Sequence, residues 1–235
     1  MKLDENSGIP LYYQLKELLK ARVDSGALKP GDKLPNEVEI AQEWGLSRST
    51  VRRAILDLVQ QGFFYRKQGK GTFVAEPKIQ GDMVHFFLPA EVGEEHRIVD
   101  RRVTVPPSSV AERLGLSPQD QVTELVRVRL ANGEPVVMER SYIPLSVCPD
   151  LITRDFAGKL YDLLKQTYGI SLAEAETYVE PVVLDSFEAG LLGVKRGMPA
   201  LLLTRLNLQR DGTPAVLTKS VVRGDRCRLM VHTIA

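Results

Sequence analysis

Basic side chains are concentrated between residues 46 and 74, in the stretch LSRSTVRRAILDLVQQGFFYRKQGKGTFV. This stretch contains one acid, Asp57, and six basic residues, which are Arg48, Arg52, Arg53, Arg66, Lys67 and Lys70. A clustered patch of positive charge attracts a polyanion even where the whole chain is nearly neutral, as here with a net charge of +1. The patch therefore predicts contacts with nucleic acid.

Three helices are predicted around this patch. The spacing of apolar residues predicts a helix over 11–25. Asn36, followed three residues later by Glu39, is a capping-box pattern that predicts the start of a second, short helix. Ser47 is a suitable cap for a third helix, which should run to about Gln61. Two short helices joined by a tight turn that contains glycine are typical of a helix-turn-helix, whose second helix enters the major groove of DNA.

The basic stretch ends in a predicted hairpin, with strands at FFYR and TFVA on either side of KQGKG. Helices and hairpin together predict a winged helix-turn-helix. Arg48 and Arg52 are i, i+4 neighbours that can reach base edges, while the hydroxyls at the helix start and the other basic residues suit phosphates. The hairpin tip has no bulky side chain at Gly69 and is narrow enough for the minor groove. The residues predicted to contact DNA are Lys33, Ser47, Arg48, Ser49, Thr50, Arg52, Arg53, Arg66, Gln68, Gly69 and Lys70.

A solvated helix face is the alternative interpretation of Arg48, Arg52 and Arg53. The order of capped helix, glycine turn, acid-poor face and basic hairpin favours DNA binding over this alternative. The segment GKGT is similar to part of a phosphate-binding loop. That motif needs glycine at position 64 and Ser/Thr at 71, however, and the chain has Phe64 and Gly71 there.

A region of mixed strands and helices follows residue 82. Its predicted strands are 97–105, 121–131, 135–143, 173–184, 200–209 and 214–223, and its predicted helices are 108–115, 156–168 and 185–192. Ser109 with Glu112, and Asp185 with Glu188, predict capping boxes for two of these helices. The turns ANGEP and RDGTP each join two strands as a hairpin, which predicts a mainly antiparallel sheet. The fold class predicted for the whole chain is therefore α+β.

A candidate ligand site lies in this second region. Arg127 and Arg129 are two residues apart on a predicted strand, so both side chains point to the same face of the sheet. Two guanidinium groups on one face suit a carboxylate or a phosphate. Glu139 on the next strand can accept a hydrogen bond from a hydroxyl or an amine. The alternative is an edge strand whose alternating charges are solvated.

Composition excludes several classes of protein. No 18-residue apolar run and no hydrophobic segment near the N-terminus is present, so neither a membrane span nor a secretory signal is expected. Cys148 and Cys227 are isolated, which favours a reducing cytoplasm. His85, His96 and His232 lack metal-ligand spacing. Nucleophile-elbow and dinucleotide-binding motifs are also missing, so the sequence predicts no catalysis, metal or cofactor.

Much of the chain resembles a GntR-family transcriptional regulator of the HutC type. The pieces GDKLP, SRSTVRRAI, LxxQG and QGKGTFV match the winged-helix domain of that family. The pieces VAERLGLSPQDQV, RVRLANGEPVVMERSYIP, LYDLLKQTYGI, LLGVKRGMPALLLTRLN and KSVVRGDR match its UTRA sensor domain. The chain departs from the family at Val38, where an arginine is common, and in GDMVHFFLPAEVGEEHRIV, which lacks the phenylalanine-rich pattern usual at the start of the sensor domain.

The resemblance implies a chorismate-lyase-like fold for the sensor domain. It also implies that the side chains facing a small-molecule effector are Arg127, Arg129, Glu139, Tyr161 and, with weaker support, Lys159. The expected organisation is a DNA-binding domain over 1–75, a linker over 76–82 and an effector-binding and dimerisation domain over 83–235. The expected function is a cytoplasmic, homodimeric repressor that leaves its double-stranded operator when it binds an anionic metabolite. Two alternatives stay open: an enzyme acting on a small acid, and a DNA-binding protein that responds to no ligand.

Overall fold

The structure is a computed structural model that describes residues 3–82, 95–154 and 159–231. The chain forms two compact units. Unit 1 consists of Met1–Ile79 and Gly224–Arg228, and unit 2 consists of Gln80–Arg223 and Leu229–Ala235. The predicted domain boundaries at 75 and 83 remain predictions, and residue 83 lies outside the described residues.

Unit 1 contains the predicted three helices and hairpin. The elements are α1 (Leu11–Asp24), α2 (Glu37–Trp44), α3 (Arg48–Gln60), β1 (Phe64–Lys67) and β2 (Gly71–Val74). Strands β1 and β2 pair antiparallel. All three helices and the hairpin contribute to one apolar core, whose most buried members include Leu15, Val51, Ile55, Leu58, Phe64 and Val74. The predicted winged helix-turn-helix is confirmed.

Both predicted helix caps of unit 1 are present. The Asn36 side chain accepts hydrogen bonds from the backbone N–H groups of Val38 and Glu39, and the Glu39 carboxylate accepts one from the Asn36 N–H at 2.7 Å. The Ser47 hydroxyl accepts the Thr50 backbone N–H at 3.1 Å. These bonds satisfy N–H groups that the first turn of a helix leaves without a partner. They fix where α2 and α3, the predicted recognition helix, begin.

Unit 1 also contains a short segment from near the end of the chain, Gly224–Arg228, called here the return segment. Its backbone passes close to Gly62, which follows α3 and has a φ of +79°. A Cβ atom on residue 62 would lie 2.0 Å from the carbonyl oxygen of Asp225. Only glycine permits this approach, because any side chain would overlap the backbone of the return segment.

Unit 2 is built on a six-stranded antiparallel sheet with the strand order β4-β5-β6-β9-β8-β7. The strands are β4 (Glu95–Thr104), β5 (Val122–Ala131), β6 (Glu134–Pro144), β7 (Leu172–Val183), β8 (Pro199–Gln209) and β9 (Pro214–Arg223). Every predicted strand is present, with ends that differ by at most two residues. The predicted α+β fold class is confirmed. A separate pair, β3 (Ile79–Asp82) with β10 (Cys227–Met230), was not predicted, and β3 occupies part of the predicted linker.

Helices cover both faces of this sheet. Helix α5 (Leu160–Tyr168) packs through Leu160 and Leu164 against one face. Helices α4 (Ser108–Leu114) and α6 (Ser186–Leu192) pack against residues such as Tyr142 and Met138, which point the other way. The predicted start of α5 at 156 lies outside the described residues.

The two predicted capping boxes of unit 2 had different outcomes. Asp185 and Glu188 form theirs, with the Glu188 N–H donating to Asp185 at 2.8 Å and the Asp185 N–H donating to Glu188 at 3.0 Å. The prediction for Ser109 and Glu112 was wrong. Pro107 occupies the N-cap position of α4, and no side chain caps this helix. Because Pro107 is the N-cap, α4 begins at Ser108, and Ser109 falls inside the helix.

Candidate DNA-binding surface and ligand cavity

The start of α3 presents polar and basic side chains to solvent. Arg48, Ser49 and Arg52 are exposed. The Ser47 hydroxyl lies 2.9 Å from the Ser49 hydroxyl and 2.7 Å from the Thr50 hydroxyl. This hydroxyl cluster sits at the positive end of the helix dipole, which favours a phosphate oxygen. The five predicted contacts at this helix end therefore lie together at the N-cap and in the first turns of α3.

Two of the predicted phosphate contacts are held by partners within unit 1. The guanidinium carbon of Arg53 lies 3.9 Å from the centroid of the Tyr12 ring. Arg66 donates to Glu37 at 2.7 Å, which links the wing to the start of α2. Such contacts hold the side chains in fixed directions, and their role in binding DNA stays a prediction.

The wing tip is built on two glycines with positive φ. Gly69 has a φ of +70° and Gly71 a φ of +120°, and a Cβ on Gly69 would meet nothing within 4 Å. Gln68 and Lys70 are exposed beside them. Lys33 lies against the wing, since its Cε is 3.0 Å from the position of a Cβ on Gly71. The fold thus brings Lys33 next to the predicted wing residues, although it precedes them by more than thirty positions.

One small cavity in unit 2 is lined by every predicted effector residue. Its volume is about 30 Å³. The lining residues are His96, Arg127, Arg129, Glu139, Ser141, Lys159, Leu160, Tyr161 and Thr218. Strands β5, β6 and β9 supply most of the polar groups, and the start of α5 supplies Lys159 and Tyr161. Their positions in the sequence are far apart, so the cavity depends on the sheet order and on the packing of α5.

A buried ion-pair cluster forms one wall of the cavity. Arg127 donates to Glu139 at 2.8 Å, and Arg129 donates to the other carboxylate oxygen of Glu139 at 3.4 Å. Arg127 and Glu139 are directly opposite each other on β5 and β6. All three side chains are buried, with exposures of 4–5%. The two guanidinium groups of this wall are the kind of donor that binds a carboxylate or a phosphate in two-pronged fashion.

The charge of Glu139 depends on its two arginine partners. Burial alone raises the pKa of a carboxyl group, because it disfavours the charged form. Attraction to Arg127 and Arg129, and then to His96, acts in the opposite direction and is reinforced by the hydrogen bond from Arg127. The net effect lowers the pKa of Glu139 below its ordinary value. Glu139 is therefore a carboxylate that only accepts hydrogen bonds.

Tyr161 places its hydroxyl at the edge of the cavity. Asn207 donates to this hydroxyl at 3.0 Å. Burial, followed by the nearby charge of Glu139, raises the pKa of Tyr161, so the phenol stays protonated. Lys159 occupies the N-cap position of α5 without a capping hydrogen bond from its side chain, and that side chain lines the cavity.

Three polar lining residues were not predicted from the sequence. Ser141 and Thr218 contact each other, with their hydroxyls 3.0 Å apart, and His96 lies on β4. Ser141 is two residues after Glu139 on the same predicted strand, and that spacing could have identified it. Thr218 and His96 gave no such signal, because only the strand order brings them to Arg127.

Comparisons with known proteins agree with this architecture. The UTRA domain matches residues 94–228, and the gntR family of bacterial regulatory proteins matches residues 11–74. The transcriptional repressor NagR of Bacillus subtilis is 34% identical, with 96% of each chain covered. A histidine utilization repressor of Pseudomonas putida is 31% identical, covering 94% of this chain and 90% of its own. The crystal structure of PhnF from Mycobacterium smegmatis superposes with a TM-score of 0.64 at 26% identity, covering 95% and 99% of the two chains.

A DNA-reading winged helix on the same chain as a ligand-sensing domain defines the class of ligand-responsive transcription regulators. This chain belongs to the gntR family of bacterial regulatory proteins, in its HutC-type branch with a UTRA domain. The predicted family is confirmed. Its relatives are transcription regulators, so the chain is not an enzyme. In the described parts of the chain, no helix has the length and apolar character needed to cross a membrane.

Proposed function

We propose that this protein is a transcriptional repressor that dissociates from its operator when a small anion binds at Arg127 and Arg129. The observation that carries the proposal is the buried cluster of two arginines and one glutamate, which places two guanidinium groups on one wall of the cavity. The names of the relatives, which include NagR and the histidine utilization repressors, support repression as the sign of control.

The effector class follows from the groups that line the cavity. A phosphate or a carboxylate can take hydrogen bonds from both guanidinium groups at once, a geometry that a lysine cannot reproduce. Glu139 then accepts a hydrogen bond from a hydroxyl or an amine of the same ligand. Tyr161 and Lys159 add a phenol and an ammonium group on the α5 side. A sugar phosphate and a small hydroxy or amino acid both satisfy this set.

The operator is bound by the start of α3 and by the wing. Arg48 and Arg52 read bases, while the Ser47–Thr50 hydroxyl cluster and the wing lysine Lys70 hold phosphates. Helix-turn-helix proteins usually read two half-sites through two-fold symmetry, so the active form is a homodimer in the cytoplasm. Effector binding is linked to operator affinity, and a coupling of about 1–3 kcal/mol changes that affinity by about 5- to 150-fold.

The test is a pair of measurements on the full-length protein. A thermal-shift screen of sugar phosphates and small acids identifies the effector, since a ligand that binds the folded state raises the melting temperature. Fluorescence anisotropy then measures operator affinity with and without it. The expected result is weaker operator binding in its presence. Arg127→Lys should abolish the response, whereas Arg210→Lys, on an exposed turn, should keep it.

Two outcomes would contradict the proposal. An effector that binds without changing operator affinity would show that sensing and DNA binding are not coupled. Unchanged effector affinity in Arg127→Lys would place the ligand away from the arginine cluster. If no metabolite bound, the remaining alternative of a DNA-binding protein without a ligand would be favoured.

A further inference from the structure

Strand β9 continues directly into the return segment. The strand ends at Arg223, and the return segment begins at the next residue, Gly224. Arg223 belongs to unit 2 and Gly224 to unit 1, so one peptide bond joins the two units at this point. A displacement of the end of β9 therefore acts on the start of the return segment without a flexible loop to absorb it.

Arg223 anchors the end of β9 within unit 2. Its guanidinium group donates to a carboxylate oxygen of Glu134 at 2.9 Å and to the backbone carbonyl of Pro135 at 2.8 Å. The residue is buried, and both acceptors belong to the start of β6. A planar guanidinium group with two acceptors is held in one orientation. The end of β9 should therefore move together with the start of β6.

Lys78 anchors the return segment within unit 1. Its ammonium group donates to the backbone carbonyl of Gly224. The charge of Asp225 also acts on Lys78, and it partly offsets the burial that lowers the pKa of this lysine. The neighbouring N–H of Ile79 donates to the carbonyl of Arg226 at 2.8 Å. Successive residues of the return segment are thus held by the stretch just before β3.

The return segment also lies against the backbone that follows the predicted recognition helix. The carbonyl of Asp225 approaches Gly62 so closely that a Cβ there would lie 2.0 Å from its oxygen. The N–H of Gly62 donates in turn to the carbonyl of Val59, inside α3, at 3.1 Å. A shift of the return segment should therefore be felt at the end of α3, because packed interiors are nearly incompressible.

At its other end, β9 reaches the ligand cavity. Thr218 lines that cavity, and Ser220 pairs directly with Glu139 on β6. Gly224 follows Ser220 by four residues, which is about 13 Å along an extended strand. The strands that carry the cavity wall, β6 and β9, are also the two that Arg223 ties together. One short, continuous run of chain therefore extends from the cavity to the end of α3.

We infer that the return segment couples the ligand cavity to the recognition helix, with Lys78 as the positioning residue that holds the segment to unit 1. A change in β6 and β9 at the cavity moves Arg223 and Gly224, and the packing of the return segment passes that movement to the end of α3. This inference rests on the proposed function, because it supplies the path by which an anion at Arg127 alters DNA binding. The competing path is the other connection between the units, after Ile79.

The test is hydrogen exchange followed by mass spectrometry on the full-length protein, and it needs no ligand. Glu139→Gln disturbs the cavity, because it leaves the two buried arginines without their carboxylate. Exchange at residues 58–66 should become about two- to threefold faster, while residues 11–19 of α1 should keep their rate. In Lys78→Met, which has no ammonium group, adding Glu139→Gln should no longer change residues 58–66. Lys78→Arg keeps a donor and should restore the response.

The decisive quantity is the difference between the two backgrounds, since a merely structural lysine would alter the rate at residues 58–66 without altering their response to Glu139→Gln. The control background is Lys29→Met, an exposed lysine of unit 1, which should respond like wild type. Should Lys78→Met fail to fold by circular dichroism, Arg223→Lys removes the two-pronged anchor in unit 2 and gives the same comparison.

Three outcomes would overturn the inference. They are an equal response in the wild-type and Lys78→Met backgrounds, no response at residues 58–66, and an equal acceleration at residues 11–19, which would indicate general loosening. None of these affects the arginine site, whose own test is effector binding in Arg127→Lys. A protein that shows the expected exchange response but binds no anion would overturn the proposed function alone.

Discussion

The surroundings of Glu139 show which contacts a pattern of residues can predict and which it cannot. Alternation along the strand predicted that Arg127 and Arg129 share a face, and the fold agrees. The sequence could not show that Glu139 would bond to both of them, because that contact depends on the pairing register of β5 and β6. An incoming anion consequently competes with an internal carboxylate for the same guanidinium groups.

The lowered pKa of Glu139 gives a pH dependence of stability. Its contribution to the free energy of unfolding should be complete above about pH 4.3, the ordinary value for Glu. The contribution should be lost as the pH falls through the lower pKa of the folded state. Urea unfolding between neutral and acidic pH should therefore show a smaller loss of stability for Glu139→Gln than for wild type. Glu134→Gln, which removes a half-exposed partner of Arg223, should follow the wild-type curve. Equal pH profiles for Glu139→Gln and wild type would contradict the pairing.

Arg52 is predicted to recognise bases, so its loss should change specificity more than general affinity. A good two-pronged arginine contact contributes about 1–3 kcal/mol of discrimination. Arg52→Ala should weaken binding to a selected operator duplex by about 5- to 150-fold and leave binding to a scrambled duplex nearly unchanged. Arg22→Ala, an exposed arginine in the last turn of α1, is the control and should alter neither. A uniform loss on both duplexes would mean that Arg52 contacts phosphates only.

At the scale of elements, local sequence signals predicted the helices and the long strands. Contacts between segments far apart in the sequence were not predicted. Apolar periodicity and caps act within one or two turns, so the sequence displays them. The pairing of β3 with β10 joins segments that lie far apart in the sequence, each only four residues long. Short segments carry too few alternating positions to show a pattern. The contact of Lys33 with the wing could not be predicted either, because it too joins residues that are far apart in the sequence.

The contrast between Asp185 and Ser109 gives a prediction for helix stability. Asp185→Ala removes an observed capping box and should lower the free energy of unfolding by about 1 kcal/mol. Ser109→Ala alters a residue that has the capping-box spacing in sequence but no capping contact in α4, and it should change stability by no more than about 0.5 kcal/mol. Chemical denaturation of the two variants beside wild type measures both effects. A loss of similar size in Ser109→Ala would mean that α4 is capped by Ser109 in solution.

At the scale of the whole molecule, Gly62 marks where the return segment packs in unit 1. Gly26 provides a matched comparison, since its φ of +74° is similar and a Cβ there would meet nothing within 4 Å. Gly26→Ala should cost about 1–2 kcal/mol of stability through its left-handed backbone alone. Gly62→Ala should cost about 1–3 kcal/mol more, because Asp225 must be displaced. Thermal unfolding of both variants checks the difference, and equal melting temperatures would show that Asp225 does not pack against Gly62.

The return segment has a consequence for how such regulators can be recombined. The backbone passes between the two units three times, after Ile79, after Arg223 and after Arg228. A chimera spliced only at the linker would receive its Gly224–Arg228 from the foreign sensor, and the backbone beside Gly62 would then belong to a sequence that never evolved with it. Transferring unit 1 intact to another regulator therefore requires two stretches of chain. The first ends near residue 79, and the second is the return segment of five residues.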